Sequence, residues 1–246
     1  MPMQERYAVA AGSDRKVRDW VIAAPVKAAL VLLGDRDVLD RAERRQAANF
    51  VRDEDRHRYR AAHLLARAAI GASIGRDPAS LVFRLEPNGK PVLVGAPGVD
   101  VNLSHGGDWI AVGLSGSGRV GIDVEADRPE LFWREIAASF LSPEEVSTTL
   151  SPGAVPFLRL WTAKEAALKA AGSGLSIAPD RVTVEHRPDG FRVALPAGTY
   201  DGCWLSLDDG HLLAVATDGA SLRLVRCSDP DALRKALHEL AGPKSG

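Results

Sequence analysis

Gly107-Asp108-Trp109-Ile110-Ala111-Val112 returns later in the chain as Gly210-His211-Leu212-Leu213-Ala214-Val215. In each copy a glycine turn opens a run of apolar residues that read as a strand. The surroundings repeat as well. Pro87-Asn88-Gly89 separates the period-two stretches Leu81–Glu86 and Lys90–Val94, and Pro188-Asp189-Gly190 separates Arg181–His186 from Phe191–Leu195. Asn-Gly and Asp-Gly between such runs are strong hairpin signals. A helical stretch precedes each set: Asp53 to Ile70, with Leu64, Leu65, Ala68 and Ala69 as its apolar stripe, and Phe157 to Ala171. The pattern predicts an α+β fold of two similar halves, each a long helix packed on a small antiparallel sheet. Residues 1–125 are assigned to the N-terminal half and 126–246 to the C-terminal half. Chance likeness between hairpins is the plainer alternative.

Outward from this frame, Val21–Leu33 reads as a strand ending at Gly34, and Asp37–Ala48 as a helix with Asp37 as its N-cap. Val99–Ser104, Trp109–Ser115 and Arg119–Glu125 complete the first set of strands. Cys203–Leu207, His211–Thr217 and Ser221–Arg226 complete the second, and Asp229–Leu240 is a last helix. Residues 1–19 show no periodicity. The 246 residues are 46% hydrophobic and 26% charged, which is ordinary for a globular protein, and the formal net charge is -1. That balance supplies no basic field for nucleic acid and no polybasic membrane anchor. Val26–Leu33 is too short to span a bilayer, and Met1–Asp19 has no apolar core of a signal peptide. Cys203 and Cys227 are the only cysteines, so no zinc site is expected; they read as reduced thiols of a cytoplasmic protein.

The chemistry concentrates in two stretches. In Gly121-Ile122-Asp123-Val124-Glu125 the alternation of a strand turns Asp123 and Glu125 to one face and Ile122 and Val124 to the other. Two carboxylates so close repel unless a cation sits between them, and a hard divalent ion such as Mg2+ suits oxygen ligands. In Trp161-Thr162-Ala163-Lys164-Glu165-Ala166-Ala167-Leu168-Lys169, Glu165 and Lys169 share a helix face and Lys164 points about 100° away. Taken singly, the acid pair suits a solvated edge strand, the Glu-Lys pair a surface salt bridge, and Trp161 a core position. Together, three carboxylates and two lysines suit a metal that bridges phosphate oxygens better than an all-protein cage. A third region is basic, with Arg41, Arg44, Arg45, Arg52, Arg56, Arg58 and Arg60 on a helix face that is either solvated or touches a ligand.

The joint signature, Gly-Ile-Asp-Val-Glu followed about 40 residues on by Trp-Thr-Ala-Lys-Glu-Ala-Ala-Leu-Lys, resembles that of the 4′-phosphopantetheinyl transferases. The chain length, the duplicated layout and the upstream Asn102-Leu103-Ser104-His105 resemble the monomeric surfactin-synthetase-activating type; the short trimeric holo-carrier-protein synthases have one half only. The resemblance runs from about Asp37 to Thr217. It implies Asp123, Glu125 and Glu165 as ligands of Mg2+, or of Mn2+, gripping the pyrophosphate of coenzyme A. It implies Lys164 and Lys169 near those phosphates, and Ser104 and His105 at the nucleotide 3′-phosphate. Lys90 and Pro91 fall in the Gly-Lys-Pro hairpin that borders the adenine, and Arg58 matches a phosphate-contacting arginine. Glu43 and Gln46 stand where the family often has lysines, with Arg41, Arg44 or Arg45 as possible replacements.

Ser142-Pro143-Glu144-Glu145 has the form of a capping box with proline at the first helical position. The resemblance also makes Glu145 the general base, and the two roles are compatible. The implied reaction is attack by a serine hydroxyl of an apo acyl or peptidyl carrier protein on coenzyme A, with release of 3′,5′-ADP: a holo-[acyl-carrier-protein] synthase activity. Glu145, Lys169 and Glu165 form the catalytic set. Residues 126–155, including Leu131, Phe132 and Trp133, are the expected carrier surface. Two other readings are a Mg-dependent phosphohydrolase of a nucleotide pyrophosphate and a non-catalytic carrier-binding module.

Overall fold

Pro25 divides the first apolar run in two. Strand β1 spans Trp20–Pro25 and helix α1 spans Val26–Leu33, so the single strand expected over Val21–Leu33 is corrected. Proline fixes its own φ and is at home at a helix start, and Lys27-Ala28-Ala29-Leu30 are strong helix formers. The computed structural model describes residues 19–127, 130–149, 156–219 and 221–242; side chains at 130–134, 148 and 175 lie outside the described set. The carrier surface expected around Leu131, Phe132 and Trp133 therefore lies outside the described side chains.

Helix α2 (Arg41–Ala48) is capped by Asp40, not Asp37. Its carboxylate accepts from Ala42 N and Glu43 N, while Glu43 returns the bond from Asp40 N. Helix α3 (Asp53–Ile74) runs past Gly71 and ends where Gly75 adopts φ 67°. Then follow β2 (Phe83–Leu85), β3 (Pro91–Leu93), β4 (Asp100–Gly106), β5 (Trp109–Ser115) and β6 (Val120–Ala126). Helices α4 (Glu130–Phe140), α5 (Pro143–Thr149) and α6 (Phe157–Ala171) lead to β7 (Val184–Arg187), β8 (Gly190–Leu195), β9 (Gly198–Ser206), β10 (His211–Thr217), β11 (Arg223–Arg226) and α7 (Pro230–Ala241).

Two sheets result, ordered β11-β1-β5-β4-β3-β2 and β6-β10-β9-β8-β7, antiparallel except for the β1–β11 pair. Each repeat is thus a strand, a helical segment and four further strands, beginning at β1 and again at β6. Strand β6, at the end of the expected first half (residues 1–125), pairs in the second sheet. Backbone pairing decides this: Val120 to Ala126 pair with Thr217 to His211. Strand β11 and helix α7 return to the first half.

The layers follow from strand alternation. One face of the first sheet, with Trp20, Ile22, Ile110 and Val112, packs on α3, α1 and α7. Its other face, with Val21, Ala23, Trp109 and Ala111, meets Ile122, Val124, Leu213 and Val215 of the second sheet. The far side of that sheet packs on α6. Ile122 and Val124 are thereby anchored between the sheets, as the alternation predicts.

Strand β6 has one edge on β10. Along its other edge, Val120 N, Ile122 N and Val124 N donate to the side chains of Asp100 (2.7 Å), Asn102 (2.9 Å) and Ser104 (3.1 Å). Alternate polar residues of β4 thus satisfy donors that would otherwise be orphaned in the interior.

Candidate active site

Lys169 Nζ of α6 lies 2.6 Å from Asp123 Oδ1 of β6 and 3.3 Å from Ser104 Oγ of β4. Three segments, far apart in sequence, meet at this point. Their approach depends on Gly121: a Cβ there would overlap the Ala166 carbonyl and the Ala170 amide of α6. With glycine, helix and strand close up and Lys169 reaches the carboxylate. Asp123 is 4% exposed, and its Oδ2 is buried without a hydrogen-bond partner. Glu125 and Glu165, both half-buried, line the same cavity of about 410 Å³, with His105, Phe140 and Trp161.

Charge is held unevenly here. Burial, and then the Asp123 carboxylate, raise the pKa of Glu165 above its usual range, with Lys169 opposing. Burial pulls on the Lys169 ammonium in the other direction, but Asp123, Glu165 and Glu125 outweigh it and its pKa is raised. The crowded setting of His105, followed by the positive charges of Arg58 and Lys169, lowers its pKa.

A second chamber of about 630 Å³ adjoins the first and shares Leu103 and Lys169 with it. Its walls include Glu43 and Gln46 of α2, the Tyr59–His63 pair stacked at 3.9 Å, and the hairpin turn with Asn88, Gly89, Lys90 and Pro91. Together the two chambers form a cleft between the halves, polar at one end and largely apolar at the other, of the size small-ligand sites have.

The expected residues divide into two groups. Ser104, His105, Asp123, Glu125, Glu165 and Lys169 come together around the polar chamber. Lys90 and Pro91 line the second chamber, but the Lys90 ammonium is buried against Asp100 Oδ2 (2.6 Å), Val120 O (2.9 Å) and Ala170 O (3.1 Å). It ties the halves together and offers a ligand no donor. Lys164 and Glu145 do not join the cleft. Lys164 Nζ, on a side chain 1% exposed, donates to Glu145 Oε2 (2.5 Å), Phe140 O (2.7 Å) and Pro179 O (3.0 Å). Burial lowers its pKa against the pull of Glu145. Glu145 also accepts from Ser142 N (2.8 Å) and Val184 N (3.0 Å), completing the capping box with Glu145 N donating to Ser142 Oγ. In this structure the pair braces α4, α5 and β7 against α6, apart from the contacts expected of Glu145 as general base and of Lys164 at phosphate.

Arg58 pairs with Asp55 at 3.3 Å and lines neither chamber, although its charge is felt at His105. Glu43, which stands in a usual lysine position, is held at 2.7 Å by Arg67, a fully buried guanidinium that also binds Asp40, Pro78 O and Leu81 O. None of Arg41, Arg44 and Arg45 lines the cleft.

Sequence reasoning missed the Asp100-Asn102-Ser104 ladder, although its signal is present as polar residues at alternate positions between Val101 and Leu103. It also missed a clamp in which Arg119 grips Glu86 with both Nη atoms and donates from Nε to Ala170 O, while Asn88 Nδ2 donates to Gly172 O. Nothing in the sequence links residues so far apart.

A cation can be tested against the donors present. Among the described residues no three His, Cys, Asp or Glu side chains already form a ligand cluster. The orphaned Asp123 Oδ2 and the repulsion between Asp123 and Glu165 nonetheless fit a hard cation that draws its remaining ligands from phosphate and water.

Comparison with known proteins finds two family matches along the chain. A family model described as the 4′-phosphopantetheinyl transferase superfamily matches residues 119–216, and one described as 4′-phosphopantetheinyl transferase, N-terminal, matches residues 24–116. A 4′-phosphopantetheinyl transferase of Bacillus subtilis is 33% identical over 181 residues, covering 70% of this chain and 79% of the relative. The 4′-phosphopantetheinyl transferase Sfp of Bacillus subtilis strain 168 is 30% identical over the same shares. A phosphopantetheinyl transferase of Thraustochytrium is 30% identical over 203 residues, 73% of this chain and 70% of the relative.

Proposed function

Because the chain belongs to the 4′-phosphopantetheinyl transferase superfamily, we infer that the cleft around Ser104, Asp123 and Lys169 receives the pyrophosphate of coenzyme A. The chain is a 4′-phosphopantetheinyl transferase of the Sfp-like kind. It moves the phosphopantetheine arm of coenzyme A to a serine of a carrier protein and releases 3′,5′-ADP.

The observation that carries the site assignment is the meeting of Lys169, Asp123 and Ser104, from three segments, in one polar cavity. Asp123, Glu125 and Glu165 are the residues that would hold Mg2+ or Mn2+. Such an ion supplies neutralisation of charge building on the phosphoryl oxygens. Lys169 adds a fixed positive charge beside the same oxygens. Ser104 and His105 face the cavity as donors to a phosphate, and binding an anion favours the imidazolium form of His105. The adjoining chamber, walled by Tyr59, His63, Phe83 and Pro91, suits the nucleotide. Glu125 and Glu165, open to the cavity, are the carboxylates that an incoming serine hydroxyl meets. Glu145 is withheld from it by Lys164.

The halves are assigned to 20–115 and 120–217, with the cleft between them. Among the described residues no helix is long and apolar enough to cross a membrane. The working form is taken to be a cytoplasmic monomer that binds no nucleic acid. Intact-mass measurement of apo acyl and peptidyl carriers, incubated with coenzyme A and Mg2+, tests the reaction. The expected result is a gain of one phosphopantetheine per carrier, reached far more slowly with Asp123→Asn. Release of 3′,5′-ADP without a carrier would point instead to a phosphohydrolase.

A further inference from the structure

Helix α2 presents two faces to two different recesses. Glu43 and Gln46 look into the coenzyme A cleft, whereas Arg44 and Ala47 line a separate recess of about 550 Å³ with the α1–α2 connection and α3. Arg36, Arg44, Arg56 and Arg60 wall this second recess over a floor that includes Leu39 and Ala47; among the described residues that line it, Asp37 is the one acid. Leu39 and Ala47 are buried, so the floor is fixed by the core.

The guanidinium groups are incompletely neutralised. Arg44 pairs with Asp37, which is 88% exposed, and Arg56 pairs with Asp53 and donates to Phe50 O. Among the described residues Arg60 reaches Gly34 O, at 3.5 Å, and Arg36 has no ion-pair partner. The Nε of Arg56 is buried without a hydrogen-bond partner. Among the described residues, four cations against two aspartates leave two positive charges uncompensated around one concavity. Guanidinium forks match phosphate oxygens in pairs, and like charges held together favour an anion between them.

We propose that this recess is a binding site for a phosphate-class polyanion, distinct from the coenzyme A cleft. The ligand chemistry is that of a pyrophosphate or phosphoryl group, large enough to touch two or more of the arginines. The site uses none of the residues assigned to catalysis.

Inorganic pyrophosphate is the probe, titrated by calorimetry into the full chain saturated with coenzyme A and without added metal, so that the catalytic cleft is filled. Saturable binding is expected, weakened at least tenfold in Arg56→Gln/Arg60→Gln, with carrier modification by that variant unchanged. Arg36→Gln, at an unpaired position, is expected to weaken it severalfold and serves if the double variant folds poorly. Absence of saturable binding to the coenzyme A-saturated protein, or equal affinity in the arginine variants, overturns the proposal. Either outcome leaves the transferase reading untouched, since the mass assay reads that separately.

Discussion

Replacing Lys164 by methionine separates a structural role from a ligand role. Its ammonium is buried and serves one carboxylate and two carbonyls. Removing one partner of a buried ion pair costs about 3–5 kcal/mol, because the other charge stays behind. Glu145 keeps the amides of Ser142 and Val184, which places the expected loss near the lower end, about 3 kcal/mol. Against a total stability of roughly 5–15 kcal/mol this is large, and for a chain of this size it lowers Tm by roughly 6–12 °C. Urea unfolding gives the free energy, and steady-state kinetics well below the melt gives KM for coenzyme A, which is expected to change little. Adding Glu145→Leu should restore part of the stability, since apolar substitutes for a buried pair are often neutral or better. The reasoning is refuted if Lys164→Met leaves stability within about 0.5 kcal/mol of the parent, the usual range for surface changes, while KM rises tenfold or more.

Four other outcomes are expected. Asp123→Asn should lower kcat/KM by about 10²–10³, the cost of losing a preorganised electrostatic group, measured well below the melt because the variant also loses its ion pair with Lys169; near-normal turnover would remove Asp123 from the site. Gly121→Ala should destabilise by about 1–3 kcal/mol through overpacking and reduce turnover as α6 is pushed off β6; a neutral effect on both would contradict the close approach. His105 has a lowered pKa and is neutral near pH 7, so binding coenzyme A should take up a proton, seen in calorimetry as a dependence on buffer ionisation enthalpy. If His105→Ala shows the same uptake, another group is responsible. The raised pKa of Lys169 means that, from neutral pH upward, its pairing with Asp123 supports the fold fully to pH 10.5 and fades only as pH climbs through the folded value. The stability difference between the parent and Lys169→Met should stay flat from neutral pH up to that value; a decline within this window would show that the pair does not hold the charge.

Much of the fold is legible because period-two and period-3.6 patterns survive in single segments. Trp109–Ser115, Phe157–Ala171 and His211–Thr217 have the expected limits. Boundaries moved where a local device intervened, such as Pro25 ending a strand or Asp40 taking the cap from Asp37. Sheet membership was not legible, because which edge β6 and β11 choose depends on partners far along the chain. The same divide runs through the site. The alternation of β6 and the i,i+4 spacing of α6 put Asp123, Glu125, Glu165 and Lys169 on the faces that meet. The motif could not say that the lysine beside Glu165 turns inward to Glu145, or that Lys90 spends its charge on Asp100. Those outcomes depend on which acceptors the packed interior leaves nearby.

The rungs from Asp100, Asn102 and Ser104 to alternate amides of β6 have a consequence for how the enzyme can vary. Each rung spans two residues of both strands, so one half can shift along the other only in steps of two. A single-residue insertion in β4 or β6 would leave the rungs beyond it facing the wrong group, and one in β6 ahead of Asp123 would turn that carboxylate toward the apolar layer. The relative alignment of the reactive groups is thus digital, and drift by small increments is closed to it.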